Sequence, residues 1–399
     1  MTNTKGKKRE PLIHISKRTD APKWLIWTIR IVTVVIAIFV CAIICTILSP
    51  GSFGKFFQQL FNGTFGSTRR IINLFEAIAV LLCISLAVTP AFKMKFWNIG
   101  AEGQVLMGAL MCVVCMKYLG GKVPNVLLIV IMLVASIVGG AVWALIPALF
   151  KAQWNTNETL FTLMMNYIAM GIISFSISSW VKSGSGKLDL MKYGRFPRIG
   201  NMPYIITIII VAVIIVLAYV YLKFSKQGYE ITVVGESVNT ARYIGINVKK
   251  VILRTMFISG ALCGIAGWLI VGDSTYTIST SIVGGRGFTA ILVSWLAHFD
   301  PLLMVVTSFL VAFLNQGSSQ IASTLNMAGS FPDIITSIFF FFVIASEFFV
   351  GYKVKLRLPF KIGRKNKEKE FEETEAIDPK ESVDSDAMTS DDVKGGSIE

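Results

Sequence analysis

The sequence contains few side chains that could bind a metal or act as a nucleophile. Its two histidines, His14 and His298, lie far apart among 399 residues, so a histidine metal site is excluded and no cofactor is expected. The six cysteines all fall inside apolar runs, and the C-x-x-C pair Cys112 and Cys115 has no second pair and no histidine near it. Cysteines in this setting are packing residues, so neither a disulfide nor a metal cluster is predicted.

Charged residues are equally scarce, since Asp, Glu, Lys and Arg make up 16% of the chain. The sequence has no phosphate-binding P-loop, no serine nucleophile elbow and no H-E-x-x-H motif, so the chain is not predicted to be an enzyme. The apolar runs also lack the clustered acids on which proton- or sodium-coupled carriers depend. If the chain transports a solute, the energy is therefore expected to come from another subunit.

Apolar residues make up 54% of the chain, and the mean hydropathy is +0.65. Continuous apolar runs of about 20 residues predict membrane-spanning helices. We expect an all-α polytopic membrane protein with about ten transmembrane helices, some of them discontinuous. The predicted spans are 24–48, 71–92, 101–118, 124–150, 159–180, 204–222, 251–272, 288–298, 302–326 and 332–351, of which the eighth is short.

Polar segments divide the chain into a basic tail at 1–23, a transmembrane domain at 24–352 and a tail at 353–399 that turns acidic and is expected to be largely disordered. The basic residues that follow the last span and the even number of spans predict that both termini, and the loop 223–250, are cytoplasmic. The net charge of +14 fits contact with anionic membrane lipid rather than with nucleic acid. The basic connection 181–203 would be external, which is an exception to this rule. Either a span is miscounted, or this connection forms a basic external surface for an acidic partner protein.

The sequence Asn98-Ile99-Gly100-Ala101-Glu102-Gly103-Gln104 separates the second and third spans. A carboxylate at the edge of an apolar run is costly unless it is hydrogen bonded or faces water. The glycines allow a tight backbone path with free amide groups. Two alternatives stay open: a broken helix in which Asn98, Glu102 and Gln104 line a solute pathway, or a cytoplasmic turn with a solvated Glu102.

Two further polar features lie at or inside the fifth and ninth spans. Asn155 or Asn157 suits the N-cap of a helix, whereas Asn166 lies deep in the span and needs a partner or an aqueous cavity. In span nine, Asn315 and Ser319 share a face, which we expect to border other helices or a hydrophilic passage. The pathway residues predicted from these two spans are Asn166, Asn315, Gln316 and Ser319.

The sequence Gly284-Gly285-Arg286-Gly287 precedes the short eighth span and predicts a re-entrant segment. Phe288 follows it directly. Its ring is a candidate for stacking on a base or sugar, although a phenylalanine at a membrane interface needs no such role.

The loop 223–250 carries a compact motif between two spans. Its small residues predict a short amphipathic helix that docks into a groove on a soluble partner, with Ala241 and Gly245, four residues apart, on a narrow face. The alternative is an ordinary cytoplasmic loop. The residues predicted to couple the chain to its partner are Gly235, Glu236, Asn239, Ala241, Arg242 and Gly245.

Three stretches together resemble one family: N-I-G-A-E-G-Q at 98–104, the Asn- and Thr-rich run at 157–168, and the run at 235–267 with its S-G-A and G-I-A-G sequences. This family comprises the permease subunits of bacterial ATP-binding-cassette (ABC) importers for nucleosides and simple sugars, within the wider branched-chain amino acid and ribose permease family. The first stretch resembles the nucleoside importers more than the ribose branch. The resemblance spans roughly residues 70–350.

The resemblance implies a pathway for nucleosides, a second permease subunit, ABC ATPase subunits that dock around 236–248, and an extracellular substrate-binding lipoprotein. The chain departs from the family pattern at Trp295, where a small residue is expected, and at Arg286. We therefore expect a nucleoside permease in the plasma membrane. The same machinery for a simple sugar such as ribose or galactose is the nearest alternative, and a stand-alone ion-coupled carrier and a polytopic membrane enzyme are alternatives of other classes.

Overall fold

The apolar runs form helices because the interior of a bilayer offers no water to bond the backbone, so each span must bond its own amides. The computed structural model describes residues 13–18, 22–49, 52–181, 188–198 and 203–356. Its helices are α1 Lys23–Leu48, α2 Phe53–Phe65, α3 Thr68–Lys93, α4 Ala101–Leu119, α5 Asn125–Trp154, α6 Glu158–Trp180, α7 Ile205–Phe224, α8 Lys226–Glu236, α9 Val238–Tyr243, α10 Val248–Leu269, α11 Arg286–Leu296, α12 Pro301–Thr324 and α13 Phe331–Gly351.

The described residues contain nine helices long and apolar enough to span a membrane, and α11 is a shorter apolar helix. This confirms the expected polytopic α-helical class, including the short eighth span. A π-helical turn, Ile270–Thr275, extends α10, and the chain then continues without helix from 276 to 285 before α11 begins. Non-helical segments at 94–100 and at 276–285 thus precede α4 and α11.

The centre of the bundle is built by α10, which packs closely against α5. A Cβ atom added at Gly264 would lie 2.1 Å from the Ser136 carbonyl oxygen, and one at Gly260 would lie 2.4 Å from that of Gly140. These two glycines are needed because any side chain would force the helices apart. The close approach brings Ser259 of α10 next to the segment that joins α3 to α4.

Two elements were not expected from the sequence. Helix α2 packs on α12, where Gly63 lies against Gly317 and the rings of Phe61 and Phe313 are 5.7 Å apart. A separate small unit contains an antiparallel strand pair, β1 (Ile13–Lys17) with β2 (Tyr352–Leu356), so the described chain is not purely α-helical. The acidic region expected to be disordered, 366–399, lies outside the described residues.

The C-terminal end of α11 is held by an ion pair between the first and last long helices. Arg30 of α1 donates to Glu347 of α13 at 2.7 Å, and His298, just after α11, contacts both side chains. Arg30 thus has a carboxylate partner within the bundle. This contact fixes the end of α11 independently of the packing along its length.

Candidate functional site: a buried polar network and an open cavity

The connection between α3 and α4 is held by side-chain amides. Asn98 accepts hydrogen bonds at Oδ1 from the Gly100 N–H, at 3.0 Å, and from the Gln104 side chain, at 3.1 Å. Its Nδ2 donates to Ser259 Oγ of α10 at 3.3 Å. Asn98 and Gln104 are buried. The two amides therefore replace the backbone bonds that the helix loses at this interruption.

Helix α6 closes the same segment from the other side. Asn166 Oδ1 accepts from the Gly103 N–H at 2.8 Å, and its Nδ2 donates to the Ile99 carbonyl at 2.9 Å. Asn157 caps α6 by accepting from the Leu160 N–H at 3.2 Å, which confirms one of the two expected caps. The deep asparagine thus has protein partners for both ends of its amide.

Glu102 joins this network to α11. Its Oε1 accepts from the Gly285 N–H at 2.9 Å and its Oε2 from the Gly287 N–H at 2.8 Å. The side chain is only 3% exposed. A Cβ at Gly287 would lie 2.5 Å from the Glu102 nitrogen, so glycine is required for this approach. The carboxylate occupies the positive N-terminal end of α11, where a negative charge is stabilised.

These contacts correct one of the two sequence-based alternatives for the segment. Glu102 is not a solvated residue of a turn, because it is buried and bonded to backbone amides. Asn98, Glu102, Gln104 and Asn166 are all buried and hydrogen bonded within the chain, and their place beside a passage stays a prediction. Their role in the described structure is to hold two interrupted helices together.

An open cavity of about 640 Å³ lies on the other side of α11, between α3, α12 and α13. It brings together the other four predicted pathway residues, Phe288, Asn315, Gln316 and Ser319. The lining includes Ala77, Leu81, Arg286, Phe288, Thr289, Leu292, Val311, Asn315, Gln316, Ser319, Asp333, Thr336, Ser337 and Phe340. The cavity thus combines uncharged hydrogen-bonding groups, two charges of opposite sign and two phenylalanines.

The wall of the cavity includes backbone that could not face lipid. Helix α11 has 11 residues, about 16 Å at 1.5 Å per residue, which is roughly half of a bilayer core. Gly284 and Gly285, at its N-terminal end, have φ of +65° and +75°, and a Cβ at Gly285 would meet no atom within 4 Å. Irregular backbone at membrane depth is tolerated only against protein or water. The backbone at the N-terminal end of α11 is therefore expected to border either an aqueous passage or another subunit.

The four predicted residues in the cavity are not equivalent. Gln316 donates through Nε2 to the carbonyls of Gly63, at 3.2 Å, and Arg70, at 2.9 Å, so it holds α12 against α2 and α3. Asn315 and Ser319 are exposed on the same face of α12. Phe288 is 39% exposed. The side chains most available to a solute are therefore Phe288, Asn315 and Ser319.

Asp333, Thr336 and Ser337 were not predicted to belong to the site. They lie in the first two turns of α13, and the structure places them opposite α12. Nothing in their spacing relates them to Asn315, because the pairing of α12 with α13 is a tertiary contact. Arg286 was noted only as a departure from the family pattern, and it lies in the cavity wall.

The predicted coupling region forms α8 and α9, which share Ser237 as the end of one helix and the cap of the next. Gly235 is buried against the end of α3, since its Cβ would lie 2.1 Å from the Lys93 carbonyl oxygen. The expected narrow face formed by Ala241 and Gly245 is wrong: Ala241 is fully buried, and Gly245, with φ of +85°, follows the end of α9.

The exposed surface of this region is formed by other residues. Glu236, Asn239, Arg242 and Gly245 are exposed, together with Tyr243, which is 94% exposed. A cleft of about 940 Å³ borders α8 and α9 and is lined by charged side chains that include Lys95, Lys151, Glu158, Glu236, Arg242 and Lys249. The region therefore presents charged side chains and an exposed tyrosine on its surface.

At the opposite end of the bundle, residues 188–198 run along the end of α10. The Met191 N–H donates to the Tyr276 carbonyl at 2.9 Å, and the Arg195 guanidinium lies 4.6 Å from the centre of the Tyr276 ring. Lys192, Arg195 and Arg198 are exposed, so the predicted basic surface in this connection is accessible.

A short helix that begins after a non-helical segment and a polar cavity in an apolar bundle are together typical of a polytopic membrane permease. The sequence matches the family described as the permease component of the branched-chain amino acid transport system over residues 70–345, and the chain belongs to this family. The matched region begins after α2, so α1 and α2 lie outside it.

Curated relatives cover most of the chain. A glucose ABC transporter permease of Haloferax volcanii is 27% identical over 362 residues, which span 86% of this chain and 93% of the relative. A guanosine ABC transporter permease of Bacillus subtilis is 28% identical over 308 residues, or 75% of this chain and 88% of the relative. A nucleoside ABC transporter permease of Lactococcus lactis is 24% identical over 319 residues, or 76% and 85%.

Proposed function

We propose that the chain is the transmembrane permease of an ABC importer for nucleosides, and that the cavity beside α11 is part of the solute pathway. The observation that carries this proposal is the irregular backbone of Gly284 and Gly285 beside the exposed Phe288, at the start of a helix too short to span a bilayer core. Such backbone needs an aqueous or protein neighbour. The cavity volume of about 640 Å³ lies within the range of small-molecule sites.

The aromatic ring in the cavity favours a nucleoside. Every nucleobase has a π-face that stacks on an aromatic side chain, whereas the hydroxyls of both nucleosides and sugars suit Asn315 and Ser319. Guanosine and nucleoside permeases are among the relatives. A simple sugar is the second candidate, because a glucose permease is also a relative and hydroxyl groups are abundant in the cavity wall.

In this proposal the energy and the solute come from partner subunits. ABC ATPase subunits dock on the cleft and exposed surface around α8 and α9, and a second permease, identical or homologous, faces the cavity. An extracellular substrate-binding lipoprotein contacts the basic surface at 192–198. Ion-coupled transport without these partners would instead show uptake that survives ATP depletion and collapses with the ion gradient.

We also propose that both termini are cytoplasmic. The non-helical segment 276–285 and α11 together make one crossing, which with the nine long helices of the described residues gives an even number of membrane crossings. The strand pair supports this count, because residues before α1 and residues after α13 can pair only when they lie on the same side of the bilayer.

The test is uptake of a labelled nucleoside by cells with and without the chain, with unlabelled nucleosides, ribose, galactose and glucose as competitors. We expect uptake to require the chain and to be blocked by nucleosides alone. Phe288→Leu should raise KM about tenfold by removing one stacking partner. The matched control is Phe175→Leu, since Phe175 is 73% exposed on α6 and lies outside the cavity.

If only sugars compete for uptake, the proposed substrate would be a sugar and not a nucleoside. Equal effects of Phe288→Leu and Phe175→Leu would remove the cavity from the pathway. Uptake that does not depend on the chain would contradict the transport proposal as a whole.

A further inference from the structure

Helix α11 exposes one continuous face that extends beyond the cavity. Phe288 and Leu292 line the cavity, and Trp295 follows on the same face after a further three residues. Trp295 is 46% exposed. At 1.5 Å per residue it lies about 10 Å along the helix from Phe288. An aromatic side chain is thus available at each end of this face.

Trp295 does not stand alone at its end of the helix. Its ring centre lies 5.6 Å from that of Trp97, with 67° between the ring planes. Trp97 is supported in turn by Phe92, at 5.7 Å and 77°. Trp97 is 44% exposed, although it contacts rings on two sides. Within the described residues neither indole N–H donates a hydrogen bond to another side chain or to the backbone.

The contact is not needed to anchor α11. Glu102 holds the N-terminal end of the helix through two backbone amides, and His298 holds the other end against Arg30 and Glu347. Along its length, Ser294 Oγ also lies 2.9 Å from Thr89 Oγ1 of α3. A half-exposed pair of indoles therefore adds little to the attachment of the helix.

We propose that Trp97 and Trp295 form a second binding position for a planar heteroaromatic ring, at the cytoplasmic end of the same pathway. This inference rests on the proposed nucleoside pathway and deepens it. Because the two rings meet edge to face, each keeps a π-surface accessible for stacking, and the free indole N–H groups can donate to acceptors on a base. A base that leaves the cavity by Phe288 meets this pair on the way to the cytoplasm.

The position favours an aromatic solute over a sugar. A sugar ring gains less than a nucleobase from two exposed indoles, because it has no π-face to stack.

The test measures the kinetics of nucleoside uptake by the complete transporter in cells. Trp295→Leu and Trp97→Leu are each expected to lower the maximal rate about tenfold with little change in KM, because the cavity that first receives the solute is intact. Trp295→Phe should restore most of the rate by restoring a stacking surface. Trp24→Leu is the control, since Trp24 is 68% exposed near the start of α1.

Association with the partner permease and the level of protein in the membrane are measured for each variant. An unchanged maximal rate in both leucine variants would overturn the inference, as would a phenylalanine variant no better than leucine. Loss of association would show that the two indoles contact the second permease instead of the solute.

The two proposals fail in different ways. If Phe288→Leu impairs uptake while the tryptophan variants transport normally, the pathway stands and the second position does not exist. If the wild-type chain supports no nucleoside uptake, both proposals are overturned.

Discussion

The two polar regions on either side of α11 have similar residue types and opposite properties. On one side, Asn166 and Glu102 are buried, and every oxygen of these side chains accepts a backbone N–H. On the other side, Asn315 and Ser319 are exposed in a cavity. The first region stabilises the path of the backbone, whereas the second has hydrogen-bonding groups that a solute can reach.

The difference shows that a polar residue inside a membrane bundle is not in itself a pathway residue. A buried polar group is costly without a partner, so partners are found either in the chain or in water. Where the helices are interrupted, as at 94–100 and 276–285, the backbone itself needs those partners. Polar side chains beside such interruptions then hydrogen bond to the backbone and are not available to a solute.

The largest effect is expected at Glu102. Glu102→Ala leaves the amides of Gly285 and Gly287 unbonded in a buried site, which costs about 2–5 kcal/mol of the free energy of unfolding. Glu102→Gln keeps one oxygen acceptor but turns an NH₂ group towards a backbone N–H, so its loss should be intermediate. Both are measured as the unfolding midpoint in detergent and as the amount of protein in the membrane.

The control for Glu102 is Glu236→Gln, because Glu236 is exposed at the end of α8. Its substitution should change the free energy of unfolding by less than about 0.5 kcal/mol. If Glu102→Ala were as stable as this control, the carboxylate would not be holding α11.

The next largest effect on the free energy of unfolding is expected to distinguish Asn166 from Asn315. Asn166→Leu removes the partners of the Gly103 N–H and the Ile99 carbonyl and should cost about 1–3 kcal/mol. Asn315→Leu, the matched change on α12, should cost less than about 0.5 kcal/mol because the side chain is exposed. Equal destabilisation by the two changes would mean that the contrast between the regions does not exist.

Much of the fold could be predicted from the sequence. Long apolar runs predict spans regardless of their neighbours, and the glycines at 100, 103, 284, 285 and 287 mark both interruptions. The N-cap Asn157 could be identified as one of two candidates because capping is local. These features depend on residues that are close in the chain.

The errors all concern contacts between distant segments. Glu102 and Gly285 are separated by more than 180 residues, and no spacing rule joins them. Ala241 could not be recognised as buried without knowing that α9 lies against the end of α3 and the start of α10. Helix α2 was missed because it is amphipathic and too short to span a membrane, so its apolar face was visible only once α12 was in place.

The smallest effect on stability, and the one that bears most directly on function, is expected from removing single hydrogen-bonding groups in the cavity. Asn315→Ala should leave the fold unchanged and raise KM for the solute about threefold to tenfold, the equivalent of one hydrogen bond. Gln316→Ala is the informative comparison, because that side chain bonds the Gly63 and Arg70 carbonyls and its loss should lower stability as well. Uptake kinetics and unfolding midpoints are measured on both. If Asn315→Ala altered stability but not KM, the exposed region would resemble the buried one, and the cavity would be a gap between helices instead of a place where solute binds.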